Sequence, residues 1–93
     1  MVVQRYEWDE VKRQKNIDNH GLDFLAAHQL FSGNHVRGRA RDGKGGEERW
    51  LAIGIVHGIY ATAIYTMRGE TIRMISLRRA RNDERKHHQD VFD

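Results

Sequence analysis

The sequence predicts an α+β domain in which an N-terminal strand and two helices precede an antiparallel β-meander and a C-terminal helix. Three observations predict it. Apolar positions between residues 9 and 31 recur at helical spacing behind two aspartates suited to capping. From residue 49 to 77 they alternate in runs broken by short Gly-containing turns, the pattern of hairpins. Residues 79 to 92 carry dense charge with neither Gly nor Pro, which suits a surface helix.

Val2 to Glu7, with Val2, Val3 and Tyr6, forms a short first strand. Asp9 caps a helix that runs to a stop at His20 and Gly21, with a small apolar face of Trp8, Val11 and Ile17. Asp23 caps a second helix carrying Phe24, Ala27, Leu30 and Phe31, closed by Ser32, Gly33 and Asn34. His35 to Arg41 is extended and basic, and Asp42 to Gly46 is a flexible turn. Arg49 to Val56, Ile59 to Met67 and Thr71 to Leu77 are the meander strands, joined at His57–Gly58 and at Arg68–Gly69–Glu70. Arg79 to Phe92 is the final helix. Helices then cover one face of the sheet and leave the other free for function.

With 93 residues there is room for one core and one site. The formal charge of +3 and a pI near 9.6 permit a nucleic-acid partner without requiring one. Arginine outnumbers lysine, and its planar fork of donors matches phosphate. The absence of cysteine excludes thiol catalysis, disulfides and thiolate metal sites. No signal-like or membrane-length apolar segment is present, so a soluble cytoplasmic protein is expected.

Counting outward from the two turns pairs Arg49 with Thr66 and Thr66 with Arg73, and so sets two arginines and a hydroxyl in one row. The next rows on that face are Leu51, Ile64 and Ile75, then Ile53, Thr62 and Leu77. Such a row suits a phosphate whose charge grows in a five-coordinate transition state. Arg68, Arg78 and Arg79 flank the sheet and are candidates for tracking an RNA backbone, with Trp50, Tyr60 and Tyr65 available for stacking. Each has a plainer alternative: the arginines can be solvated or paired with Glu47, Glu48 or Glu70, and the aromatics can be core. Arg37, Arg39 and Arg41 can equally be an edge strand guarded by charge. Of the six histidines, His20 suits a helix C-terminus, adjacent His87 and His88 make no metal pair, and His35 and His57 serve as acid or base only if they face a cleft. No metal or cofactor is implied.

Tyr6, Glu7, Trp8 and Asp9, then Lys12, Asn16, His20, Gly21 and Phe24, resemble the opening block of the BrnT toxins. Glu47 to Gly54, Gly58, Ile64, Tyr65, Thr66, Arg68, Gly69, Ile72, Arg73, Ile75, Ser76, Arg78, Arg79 and Ala80 resemble its second block, and together the two span nearly the whole chain. Leu77 and the His87–His88 pair depart from the residues common there. The resemblance implies a RelE-like fold and a metal-independent endoribonuclease that stops translation. It also implies neutralisation by a BrnA-type antitoxin that binds its own operator DNA, in a hetero-oligomer. On that expectation Arg49, Tyr65, Thr66 and Arg73 are the catalytic candidates and Arg68, Arg78 and Arg79 bind flanking RNA. The alternative is a non-catalytic module that docks nucleic acid or a protein on the same basic face.

Overall fold

The computed structural model describes residues 3–93. Five strands and three α-helices follow in the order β1 (Arg5–Glu7), α1 (Glu10–His20), α2 (Ala27–Ser32), β2 (Val36–Arg39), β3 (Trp50–Val56), β4 (Ile59–Arg68), β5 (Thr71–Arg79) and α3 (Asn82–Phe92). Val2, expected in the first strand, lies outside the described residues. The sheet order is β1-β5-β4-β3-β2, antiparallel except that β1 runs parallel to β5. The predicted α+β class and the meander are therefore present. The basic segment after α2 joins the sheet as its edge strand, and no helix of the described residues is long and apolar enough to span a membrane.

Both expected caps form. The Asp9 carboxylate accepts from the amides of Val11 and Lys12, and Gly21 at φ 69° ends α1 in the left-handed conformation that glycine adopts freely. Asp23 accepts from the Leu25 amide and grips Arg13 through both oxygens, at 2.8 and 2.9 Å, which ties α1 to the next turn. That turn, Phe24–Ala26, is a 3₁₀ helix and only Ala27–Ser32 is α-helical, so the predicted second helix is shorter than its apolar spacing suggested.

Leu22, Phe24, Ala27 and Leu30 pack on Ala52, Val56, Ala61, Ala63, Tyr65, Ile72, Met74 and Leu77, the inward residues of β3, β4 and β5. The small alanines on the sheet let the helices sit close. Gly54 has the same origin: a Cβ there would fall 2.8 Å from Leu30 Cγ.

The β3–β4 register is as expected, and that of β5 holds as far as Met74 and then departs from expectation. Thr66 pairs with Arg73 and Tyr65 with Met74, but Ile64 faces Ser76 and Thr62 faces Arg78, because β5 carries a bulge at Ile75. Asn16 supplies a physical reason. β1 ends at Glu7, which leaves the outer edge of β5 without a strand, and there the Asn16 side chain accepts from the Leu77 amide and donates to the Leu77 carbonyl, at 3.1 and 2.8 Å. Fixing Leu77 in this way keeps its side chain in the core after the extra residue has been absorbed.

The C-terminal helix covers one end of the face opposite α1 and α2, which corrects the expectation that this face is wholly free. It is anchored by charge and by an imidazole. Glu84 accepts from Arg78 through both oxygens (2.8 and 3.1 Å), from the buried Thr62 hydroxyl (3.0 Å) and from the Arg81 amide (2.8 Å). His88, buried beside Tyr60 and Phe92, donates from Nε2 to the Asn34 carbonyl at 3.0 Å. Burial pushes the Glu84 pKa up, but the Arg78, Arg81 and Thr62 donors outweigh it and hold the carboxyl down at about 2. A depressed folded-state pKa contributes stability above the ordinary carboxylate value that is lost as pH falls toward the folded one. Glu84→Gln is therefore expected to flatten the acid limb between roughly pH 4.5 and 2, at a cost near neutrality of about 2 kcal/mol. Urea melts across that range check it; a mutant as acid-sensitive as the parent would place the loss elsewhere.

Candidate functional site

The side chains of β2 alternate across the sheet, and Arg37 and Arg39 emerge on the same face as α1 and α2, just past the end of α2. Here the helices stop short of the edge. What remains is an open cleft of about 280 Å³ lined by Arg37, Gly38, Trp50, Tyr65 and Met67.

Arg37 dominates this cleft. Its guanidinium lies 5.3 Å from the centre of the Phe31 ring and 6.0 Å from that of Tyr65, and among the described residues no carboxylate is paired with it. Burial raises the pKa of both Tyr65 and Tyr6, and the Arg37 cation offsets part of each rise, so both hydroxyls sit within its field and stay protonated. His35 completes the group. Its Nδ1 lies 2.9 Å from the Gly33 carbonyl and its Nε2 3.0 Å from Arg37 Nε. A carbonyl only accepts and a guanidinium only donates, so both contacts require the same neutral tautomer, with the lone pair on Nε2 facing Arg37. The ring is held edge-on against Phe31 at 5.6 Å. Arg39 stacks 5.1 Å over Trp50, a lining residue of the cleft, and pairs with Asp42 and Glu48.

A guanidinium without a carboxylate partner, an imidazole whose basic nitrogen is held only by that guanidinium and a phenol around a cleft lined by tryptophan can bind a phosphodiester and move a proton beside it. Among the described residues no group of three His, Asp or Glu side chains converges to hold a metal.

The family described as the ribonuclease toxin BrnT of type II toxin–antitoxin systems matches the chain over residues 8–84. The chain belongs to the BrnT family. Its fold is also similar to the crystal structure of the Brucella abortus ribonuclease toxin BrnT, with 31% identity and a TM-score of 0.65, covering 86% of this chain and all of the other. Among curated proteins none matches.

In this BrnT-family chain the residues singled out from sequence fall in two places. Thr66 and Arg73 are paired and share the face away from α1 and α2, and Arg49, one residue before β3, continues their row. Thr66 and Arg73 are already hydrogen-bonded, whereas the buried Nε of Arg49 has an ion pair but no hydrogen-bond partner among the described residues. Thr66 donates its hydroxyl to the Glu48 carbonyl at 2.7 Å, and Arg73 is bound to Glu7 of β1. Arg49 runs beneath the loop at residues 43–47, where it is paired with Glu47 at 3.6 Å and so close to Gly43 that a Cβ there would meet its Nε at 2.3 Å. The loop expected to be a flexible turn thus closes over this arginine, with Gly43 and Glu47 joined through their backbones.

Tyr65 is on the opposite face, at the cleft, since adjacent residues of a strand point in opposite directions. The three flanking arginines do not form one track. Arg78 is held by Glu84, Arg68 is exposed and 3.9 Å from Glu47, and Arg79 is exposed at the end of β5. Arg68 and Arg78 are six positions apart along the β4 register, or roughly 20 Å. Sequence reasoning left Tyr6 and Arg37 out of the site and kept His35 only as an acid or base conditional on a cleft, and the signal for His35 and Arg37 was the alternation His35, Arg37, Arg39, which places these basic side chains on one face.

Proposed function

We propose that this chain is a metal-independent endoribonuclease whose chemistry takes place in the cleft at the end of α2. What supports this most is the His35–Arg37 contact, a neutral imidazole with its basic nitrogen 3.0 Å from the one cleft arginine that has no carboxylate partner. When a phosphodiester enters, Arg37 turns to its non-bridging oxygens and releases His35 Nε2. That nitrogen takes the proton of the ribose 2′-hydroxyl, and the 2′-oxygen attacks phosphorus. The bond from phosphorus to the 5′-oxygen breaks, leaving a 2′,3′-cyclic phosphate, and the departing 5′-oxygen takes a proton from water to become a hydroxyl. Arg37 neutralises the charge that builds on the phosphoryl oxygens, and the half-buried Tyr6 hydroxyl donates to them. Tyr65, almost fully buried, is a positioning residue that supports the guanidinium from below. Trp50 and Met67 offer an apolar wall to a base.

On this reading Arg49, Thr66 and Arg73 stabilise the opposite face and its loop, and Arg68 and Arg79 are the flanking arginines left exposed enough to meet RNA. Cleavage of messenger RNA would stop translation, and a BrnA-type antitoxin that also binds DNA would hold the toxin in check. RNA cleavage in EDTA by partner-free protein, with product ends identified by mass spectrometry, tests the chemistry. Cyclic phosphate ends are expected, and His35→Gln should slow their formation about a hundredfold. A mutant that cuts at the parent rate would remove His35 from the reaction. No cleavage by the folded parent, with or without ribosomes, would favour the non-catalytic docking module.

A further inference from the structure

We propose that the outer edge of β2 is the docking surface for an extended acidic segment of the antitoxin, which adds antiparallel to it as a sixth strand. This inference rests on the family's antitoxin partner and does not depend on which residues cut RNA.

β2 is the last strand of the sheet, and among the described residues it pairs only with β3. The Ala40 amide donates to the Arg49 carbonyl at 3.0 Å, which makes Ala40 and Arg49 a hydrogen-bonded pair. Bonded and non-bonded pairs alternate in an antiparallel ladder, so Gly38 and Val36 also bond inward to β3. The main-chain N–H and C=O groups of Arg37 and Arg39 therefore point away from the sheet, and no strand of the described residues pairs them.

The same odd positions carry the charge. His35, Arg37 and Arg39 place a basic side chain at every second residue, each on the cleft side. Arg37 has no acidic partner, and the two carboxylates that meet Arg39 are themselves exposed, with side-chain accessibilities of 50% and 68%, so both can give way. A partner strand with Asp or Glu opposite Arg37 and Arg39 would satisfy the open backbone and the charge together. If Arg37 holds the phosphate as proposed above, such a strand also puts a carboxylate in its place, which couples docking to inhibition.

Basic charge alone would suit RNA equally well. The backbone decides for a polypeptide, because paired donors and acceptors at a two-residue repeat are complemented by another strand and not by a sugar–phosphate chain, which has no N–H groups.

The test uses the full chain, isotope-labelled, with a short peptide of alternating Glu and Thr as probe. In an antiparallel pair the residues opposite Arg37 and Arg39 turn their own amides toward β2, so N-methylation of the glutamates removes the pairing while N-methylation of the threonines spares it, at identical charge. Binding should slow exchange of the Arg37 and Arg39 amides at least about tenfold, and glutamate N-methylation should weaken affinity by a similar factor, whereas threonine N-methylation should not. Arg37→Glu with Arg39→Glu should abolish binding. Equal affinity of the two methylated peptides, or unprotected Arg37 and Arg39 amides in the bound state, would overturn the proposal. So would an oligouridylate that protects the same two amides to the same extent. Because amide exchange is read independently of cleavage, an inactive protein could still pass and an active one could still fail.

Discussion

Arg37→Ala is expected to lower the rate of RNA cleavage by at least about a hundredfold while the melting temperature stays within about 3 °C of the parent. The two halves of this result have one cause. Arg37 is exposed and has no carboxylate to leave stranded, so its loss costs the fold little. For the same reason its charge is free for a ligand. Arg37→Lys should recover only part of the activity, because an ammonium keeps the charge but not the fork that spans two phosphoryl oxygens. Arg73→Ala supplies the contrast. It breaks the pair with Glu7 that joins β1 to β5, so stability should fall by about 1 to 2 kcal/mol while the cleavage rate of the folded fraction changes only a few-fold. Rates measured for both variants under folded conditions decide between the two faces of the sheet. The reverse order, with Arg73→Ala inactive and Arg37→Ala unaffected, would move the chemistry to the row of Arg49, Thr66 and Arg73.

What could be read from the sequence were the features set by local physics. The caps at Asp9 and Asp23, the left-handed stop at Gly21 and the hairpin at His57–Gly58 each depend on a few adjacent residues, and each is present. Counting from the turns placed Thr66 against Arg73 correctly, because no irregularity intervenes between the turn and that pair. It failed only on β5 beyond Met74, since the bulge at Ile75 answers to Asn16 on a distant helix, a contact that no periodicity reports. The site was partly legible for a related reason. Arginine invited assignment to phosphate, but whether a given arginine is free or spent depends on Glu7, Glu47 and Glu84, which lie on other elements. Tyr65 was placed with Thr66 although neighbours on a strand face opposite ways, and the strand that carries Arg37 could be read simply as a charged edge. His88 was hidden in a charged tail, yet it is the imidazole that seats α3 against Tyr60 and the Asn34 carbonyl.

The largest effect on stability is expected at Asn16. Its amide donates to the carbonyls of Leu22 and Leu77, both at 2.8 Å, and its oxygen accepts from the Leu77 amide, so one side chain stands in for the strand missing beside the outer half of β5. The residue is buried, and Asn16→Ala would leave three backbone groups without partners at about 1 kcal/mol or more each. A domain of this size has roughly 5 to 14 kcal/mol in all, so the melting temperature should drop by about 15 °C or more. Asn16→Asp separates the three bonds. The carboxylate keeps the bond from the Leu77 amide but turns its charge toward two carbonyls, which raises its folded-state pKa. A raised pKa gives stability that is present below the unfolded value and lost as pH rises through the folded one. Relative to Asn16→Ala, the Asp variant should therefore gain stability on acidification, when its protonated oxygen donates to one of the carbonyls. Thermal melts of the two variants from pH 7 to 4, with exchange of the Leu77 amide followed in parallel, measure this. A loss under about 5 °C for Asn16→Ala, with the Leu77 amide still protected, would mean that water fills the gap and that the bulge does not depend on this side chain.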